Sequence, residues 1–378
     1  MAHHNMVLNQ IIKVFPRHEF EALADKHHVG QKFRSFNRWS QFVAMVVGQL
    51  SSRKSLRDIT ENLKAQRHKL YHLGMRGTSR PTLARTNEKQ PYTLFEAMFF
   101  KLLARCRELA PRHKFNFKAK LYLLDTTIID LCLSLFPWAK FRTTKGAVKL
   151  HVGLDADGYL PTFLSLTEGK THEINWARTL KLPKGSFAVF DRGFTDYAWY
   201  RSLHEAGIFF VTRLKENASF LGLKKRPGRK ASGIITDRLM RMIQFPEPLR
   251  LVVYVDPETG KEYRFITNAV HLPGKTVADL YKERWQIELF FKWIKQNLKI
   301  KTFLGTSKNA VLTQIWIALC VYLVLAYIKF SANLKITMQQ ILRLLQLNLF
   351  DRRPMLELFK PPAPQLLDDK QLSLWANL

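Results

Sequence analysis

The chain has 378 residues, which allows two or three domains and, with 47% apolar residues, a sizeable core. It carries 60 Lys and Arg against 30 Asp and Glu, a formal net charge of +30 that favours a polyanionic partner. Cys106, Cys132 and Cys320 form no CxxC or Cys/His spacing, which argues against a disulfide framework or zinc site and fits a reducing cytosol.

No basic stretch followed by an apolar run and small-residue cleavage site opens the chain, so no secretion signal is expected. Residues 1 to about 115 read as helical and basic, with a net charge of +15 by Lys120, half of the total excess. Trp39 to Gln49 predicts an apolar helix, Ser55 to Gln66 a second with a serine cap, and Tyr92 to Leu109 a long third. Between them, Ser79 to Asn87 predicts a short helix with Pro81 in its first turn. As the second helix of a helix-turn-helix it offers Arg80, Arg85 and Asn87 to base edges and phosphates; an ordinary solvated face would show the same residues.

From about Lys120 strands take over. Leu121 to Leu124 is an apolar run ending at Asp125. Val148 to Leu154 and Tyr159 to Thr167 read as a hairpin around Asp155-Ala156-Asp157-Gly158. A short helix after Thr171 leads to Phe187 to Phe190, a second apolar run, which ends at Asp191. A helix near Thr195 to Glu205, a strand Ile208 to Thr212 and a long helix Thr276 to Leu298 follow. This order predicts an α/β fold, a mixed sheet with helices on both faces. Residues 215–275 interrupt it with the basic segment LKKRPGRKASG and strands Leu249 to Val255 and Glu262 to Thr267, a β-rich insertion. Ile315 to Ile328 is uncharged, but 14 residues are short for a membrane span of about 20, so a buried core helix is expected and no membrane partner. The region from Ser331 reads as helical to about Phe350, then as a Pro-rich tail.

Two apolar strands ending in aspartate place paired carboxylates where a sheet can hold them side by side. Such a pair calls for a hard divalent cation, and a third acid would complete a two-metal site for phosphodiester chemistry. Steps of about 100° per residue put Tyr281, Arg284, Glu288 and Lys295 within one stripe of the long helix. Leu280, Ile287, Phe291, Ile294 and Leu298 fall on the adjoining arc. Arg284 and Lys295 supply cations for phosphates that Glu288 alone would repel. Asp130 and Glu283 are poorer ligands; Asp155, Asp157 and Asp196 read as turn or cap residues. His151 and His172 read equally as residues touching the site and as ordinary polar residues of a β-hairpin or a helix cap, and Thr126 and Thr127 as braces of Asp125 through hydroxyl hydrogen bonds.

The spacing Tyr281-x2-Arg284-x3-Glu288-x6-Lys295, with Leu124-Asp125-Thr126-Thr127 and Phe190-Asp191-Arg192-Gly193-Phe194, resembles the DDE transposases of bacterial insertion sequences, specifically the insertion-sequence-four family. The resemblance covers about residues 120 to 325. It implies an RNase H-like catalytic domain (116–330, the insertion at 215–275), a helical DNA-binding domain (1–115) for transposon ends, and a helical C-terminal region with its tail (331–378). It further implies catalysis by Asp125, Asp191 and Glu288 with Mg2+ or Mn2+, and phosphate contacts from Tyr281, Arg284, Lys295 and Arg192. Nicking to a 3′-OH, a hairpin intermediate, and integration into target DNA by a homodimer at the bacterial nucleoid complete what it implies. The alternatives are a non-catalytic DNA-binding protein derived from a transposase and a stand-alone RNase H-like nuclease.

Overall fold

The computed structural model describes residues 5–30, 36–140, 146–225, 233–243 and 245–360. Helices come first: α1 (Val7–Ile12), α2 (Arg17–Lys26), α3 (Arg38–Leu50), α4 (Leu56–Ala65), α5 (Arg67–Leu70), α6 (Arg80–Lys89) and α7 (Thr93–Leu109). The expected caps are in place: Ser55 Oγ accepts from Asp58 N at the start of α4, and Ser79 Oγ from Thr82 N at the start of α6.

Strands β1 (Leu121–Leu131), β2 (Gly146–Asp155) and β3 (Leu160–Glu168) form a meander, followed by α8 (Glu173–Ala177), β4 (Phe187–Phe190), α9 (Tyr197–Glu205) and β5 (Phe209–Arg213). The insertion supplies β6 (Phe220–Lys225), β7 (Ile234–Met242), β8 (Phe245–Val255) and β9 (Glu262–Thr267). Then come α10 (Gly274–Glu283), α11 (Trp285–Asn297), α12 (Lys308–Ser331) and α13 (Met338–Asn348). The nine strands among the described residues join one mixed sheet in the order β3-β2-β1-β4-β5-β9-β8-β7-β6. The β1–β4 and β4–β5 pairs are parallel and the rest antiparallel. This is the mixed α/β architecture expected, and the insertion proves to extend the sheet beyond β5 rather than to form a body of its own.

Period-two alternation sorts the strand residues onto two cores. Leu121, Leu123, Phe187 and Val189 face the core built from α3, α7, α10, α11 and α12. Tyr122, Leu124, Ala188 and Phe190 face the other, against Trp176 and α9. The first core also takes in α1 to α6, so the N-terminal helices and the sheet share one apolar interior. α12 is its axis. It is long and apolar enough to span a bilayer, but 94% of its most apolar window is buried within the protein, as expected of a core helix.

Several sequence expectations need correction. β1 does not end at Asp125 but continues to Leu131, because β2 pairs with it along its whole length. The long helix Thr276 to Leu298 is two, α10 and α11, broken at Arg284, where Arg284 N bonds Tyr281 O and Ile287 N bonds Arg284 O in tightened three-residue steps. Strands β6 and β7 add to the two strands that the insertion's sequence predicts. LKKRPGRKASG lies largely outside the described residues, as does the Pro-rich tail from residue 361.

Candidate active site

Strands β1 and β4 run parallel in register as far as Leu124 and Phe190. Asp125 and Asp191 each follow one step later, on neighbouring strands about 4.8 Å apart. By the same alternation Asp125 points to the face of Leu121 and Leu123, the face covered by α10 to α12. The strand extension beyond Asp125 carries the site further: Thr127, again on this face, accepts a hydrogen bond from Lys295 Nζ at 2.6 Å, and Ile128 O accepts a second at 2.8 Å. Lys295 thereby fixes α11 along β1, with Glu288 two turns back, beside Asp125.

Arg284 stands among these acids. Its Nη1 lies 3.4 Å from Asp125 Oδ2, and its Nη2 is paired with Glu288 Oε1. Its Nε is buried without a hydrogen-bond partner. Burial pushes the Asp125 carboxyl up to about 7; the Thr126 N–H at 2.8 Å and Arg284 oppose that rise, while the charges of Asp191 and Glu288 add to it. Both other acids therefore act on Asp125. Tyr281, its hydroxyl pushed up by burial, packs on Phe265 at 4.9 Å with Arg284 over its ring at 5.6 Å.

On the Asp191 side, Gly193 N donates to Asp191 Oδ1 at 2.8 Å and fixes that carboxylate at the head of a 3-10 turn (Arg192–Phe194). A methyl group on Gly193 would lie 2.9 Å from Glu173 Oε2 and 3.0 Å from Asp191 Oδ1, so a fourth carboxylate converges here. Glu173 also lies 3.6 Å from Lys149 Nζ. Nothing in its local sequence signals this. Arg192 reaches out to Glu216 at 3.0 Å, an exposed pair of little energetic weight.

The remaining candidates are placed elsewhere. Thr126 and Thr127 do not brace Asp125 through their hydroxyls: Thr126 Oγ1 bonds His151 Nδ1 at 2.8 Å on the opposite face, and Thr127 receives Lys295. His151 is fully buried, bonded also to Thr167 Oγ1 at 2.8 Å and stacked on Trp176. His172 caps α8, Asp196 caps α9, and Glu283 is buried against Tyr159 and Lys114. Asp130 is exposed. Arg80 and Arg85 are exposed on α6, away from the acids. Asn87 is not available to a base: it is 3% exposed, accepts from Gln41 Nε2 at 2.8 Å and donates to Met45 Sδ.

Carboxylate oxygens around an electrostatically strained aspartate are the donor set of a hard divalent cation. Among the described residues, however, no three potential ligands are gathered closely enough to hold a metal, and Arg284 provides the positive charge instead. The donor chemistry of Asp125, Asp191 and Glu288 is that of a hard divalent cation, with Arg284 lying between two of them.

Residues 116–324 match the family described as Transposase DDE domain, and residues 3–76 match one described as Domain of unknown function (DUF4372). A Sinorhizobium fredii protein named as a transposase is 35% identical over 292 residues, 74% of this chain and 80% of its own length. A Geobacillus stearothermophilus protein named as a transposase for insertion sequence element IS5377 is 27% identical over 253 residues, 65% of this chain and 66% of its own. A solved piggyBac transposase synaptic complex with hairpin DNA overlaps 95% of this chain and 85% of its own, at 14% identity and a TM-score of 0.44, too distant to bear on function. The domain match spans more than half the chain and contains Asp125, Asp191 and Glu288 together with Tyr281, Arg284 and Lys295, and the chain belongs to the DDE transposase family.

Proposed function

We propose that this transposase binds the terminal inverted repeats of an insertion sequence, cuts them to free 3′-OH ends and joins those ends to target DNA. The supporting observation is that the buried Asp125 feels the charges of both Asp191 and Glu288. In this reading the three carboxylates hold Mg2+ or Mn2+, which supplies Lewis-acid activation of the attacking and departing oxygens. The chain's own residues bind and orient. Arg284 turns from the carboxylates to a phosphate, its free Nε–H adding a donor for a bidentate grip. Lys295 carries a fixed positive charge beside the strand, Tyr281 shields the guanidinium from water, and Arg192 exchanges an exposed glutamate for a phosphate.

A hairpin intermediate, a homodimer on DNA and a nucleoid location rest on the family resemblance. The experiment is incubation of the chain with its flanking DNA ends and Mg2+ or Mn2+. A 3′-OH nick followed by a hairpin product is expected from wild type, and no cleavage with retained DNA binding from Asp125→Asn, Asp191→Asn and Glu288→Gln. Full cleavage by any of the three variants would remove that acid from the site.

A further inference from the structure

The N-terminal region contains a cleft of about 480 Å³ between α4, α5 and the start of α6, lined by Arg57, Glu61, Lys64, Arg67 and Arg80 among others. Four cations face one carboxylate. None of the four has a side-chain hydrogen bond or ion pair among the described residues. Elsewhere among the N-terminal helices some basic residues are matched: Arg53 pairs with Asp58 at 3.3 Å, and Lys101 and Arg105 share Glu19. An unneutralised set of like charges is destabilising by itself, and is relieved by an anion.

The placement is ordered. Leu56, Ile59 and Leu63 bury one face of α4, which leaves Arg57, Glu61 and Lys64 on the solvent face. Arg57 and Lys64 are two turns apart, about 10 Å, the axial rise of about three base-pair steps of a duplex. The surface is also tied to the catalytic half. Asn309 at the start of α12 donates to Asn87 O at 2.9 Å and Gln90 O at 2.6 Å and accepts from Tyr92 N at 3.1 Å, pinning the end of α6. Gln49 accepts from Lys299 N at 2.7 Å, just beyond α11.

We propose that this cleft grips the phosphate backbone of duplex DNA through Arg57, Lys64, Arg67 and Arg80, which gives a role to the matched region of unknown function, residues 3–76, and to the turn that follows it. The proposal rests on the transposase reading for its partner, and it moves the N-terminal contact from the outer face of α6 to the groove beside it. Because these cations meet phosphates, their grip is independent of base sequence and steeply salt-dependent.

The test uses the full chain and two fluorescent duplexes, one carrying the element's ends and one of scrambled sequence, with affinity measured from about 50 to about 200 mM salt. One variant combines Arg57→Gln, Lys64→Gln, Arg67→Gln and Arg80→Gln. A control of equal net charge combines Lys13→Gln, Lys261→Gln, Lys335→Gln and Arg343→Gln, all exposed positions. The cleft variant is expected to flatten the slope of log affinity against log salt by about 0.9 for each phosphate no longer neutralised, and to bind both duplexes at least about tenfold more weakly, with the control near wild type. Equal weakening in both variants, or an unchanged slope in the cleft variant, overturns the proposal. Thermal melting verifies folding, and removal of mutual repulsion predicts a melting temperature no lower than wild type. Metal-dependent cleavage by the cleft variant at low salt is read separately: its absence in wild type counts against the transposase reading, while the slopes alone decide the cleft.

Discussion

Arg284 lies against Asp125, Nη1 to Oδ2 at 3.4 Å, while its second terminal nitrogen holds Glu288. One guanidinium thus pairs with two of the three acids, and in the proposed reading it competes with the divalent cation for them.

Replacing it sets the two effects apart. Arg284→Gln is expected to bind Mn2+ more tightly than wild type in the absence of DNA, by about tenfold, because the carboxylates no longer have an internal counter-charge. Its melting temperature without metal falls, and Mn2+ raises it by more than in wild type, since a ligand that binds only the folded state stabilises in proportion to its affinity. Cleavage falls, because the phosphate loses its donor. Weaker Mn2+ binding by the variant than by wild type would refute the competition.

The Asp125 carboxyl, raised to about 7 from 3.8 chiefly by burial, sets a pH dependence for the metal-free chain. Between about pH 4 and about pH 7 the folded state retains a proton that the unfolded state has lost, so this group makes stability fall as pH rises through that window. Melting curves in a chelator should show the decline, and Asp125→Asn should flatten it. A decline of the same size in the Asn variant assigns it to other groups.

His151 is held neutral, its imidazole pushed down to about 4 by burial, between the hydroxyls of Thr126 and Thr167. His151→Ala leaves both hydroxyls without this partner and opens a cavity beside Trp176, with an expected loss of about 2–4 kcal/mol in urea unfolding. Thr126 also gives its N–H to Asp125, so kcat should fall further than KM changes. A stability loss with unchanged kcat would show His151 to be structural only.

A side chain at Gly193 would press on the carboxylate ends of both Glu173 and Asp191. Gly193→Ala should therefore displace Asp191 and cut the cleavage rate by more than about tenfold. The unfolding free energy should move by less than about 1 kcal/mol, because Glu173 is a flexible, partly exposed side chain that can yield. The double variant Gly193→Ala, Glu173→Ala regains activity if crowding is the cause.

Where a single local pattern decides the structure, the sequence is sufficient. Phe187–Phe190 and Glu262–Thr267 are strands over the spans expected, and although the long helix breaks at Arg284, Arg284 reaches Asp125 and Glu288 and Lys295 reaches Thr127. The elements that escape such a reading depend on distant partners. The second half of β1 is polar at Thr126, Thr127 and Asp130, and only pairing with β2 makes it a strand. β7 (IITDRLMRM) mixes charges into its apolar set because Arg250 on β8 pairs with Asp237 in the interior. Asn87 resembles a base reader in sequence because its actual partner, Gln41, is 46 positions away. The convergence of Arg57, Lys64, Arg67 and Arg80 likewise exists only after α4, α5 and α6 have packed.

α12 supports both halves of the molecule: its first turn anchors the end of α6, and its length floors the helices that lie over the acids. The rod therefore fixes the distance and phase between the end of α6, beside the basic cleft, and the helices that lie over the acids. One inserted residue in it would shift the two by about 1.5 Å and rotate them by about 100°. If the proposed cleft holds DNA, the number of base pairs between grip and cut is set by the length of this one apolar helix.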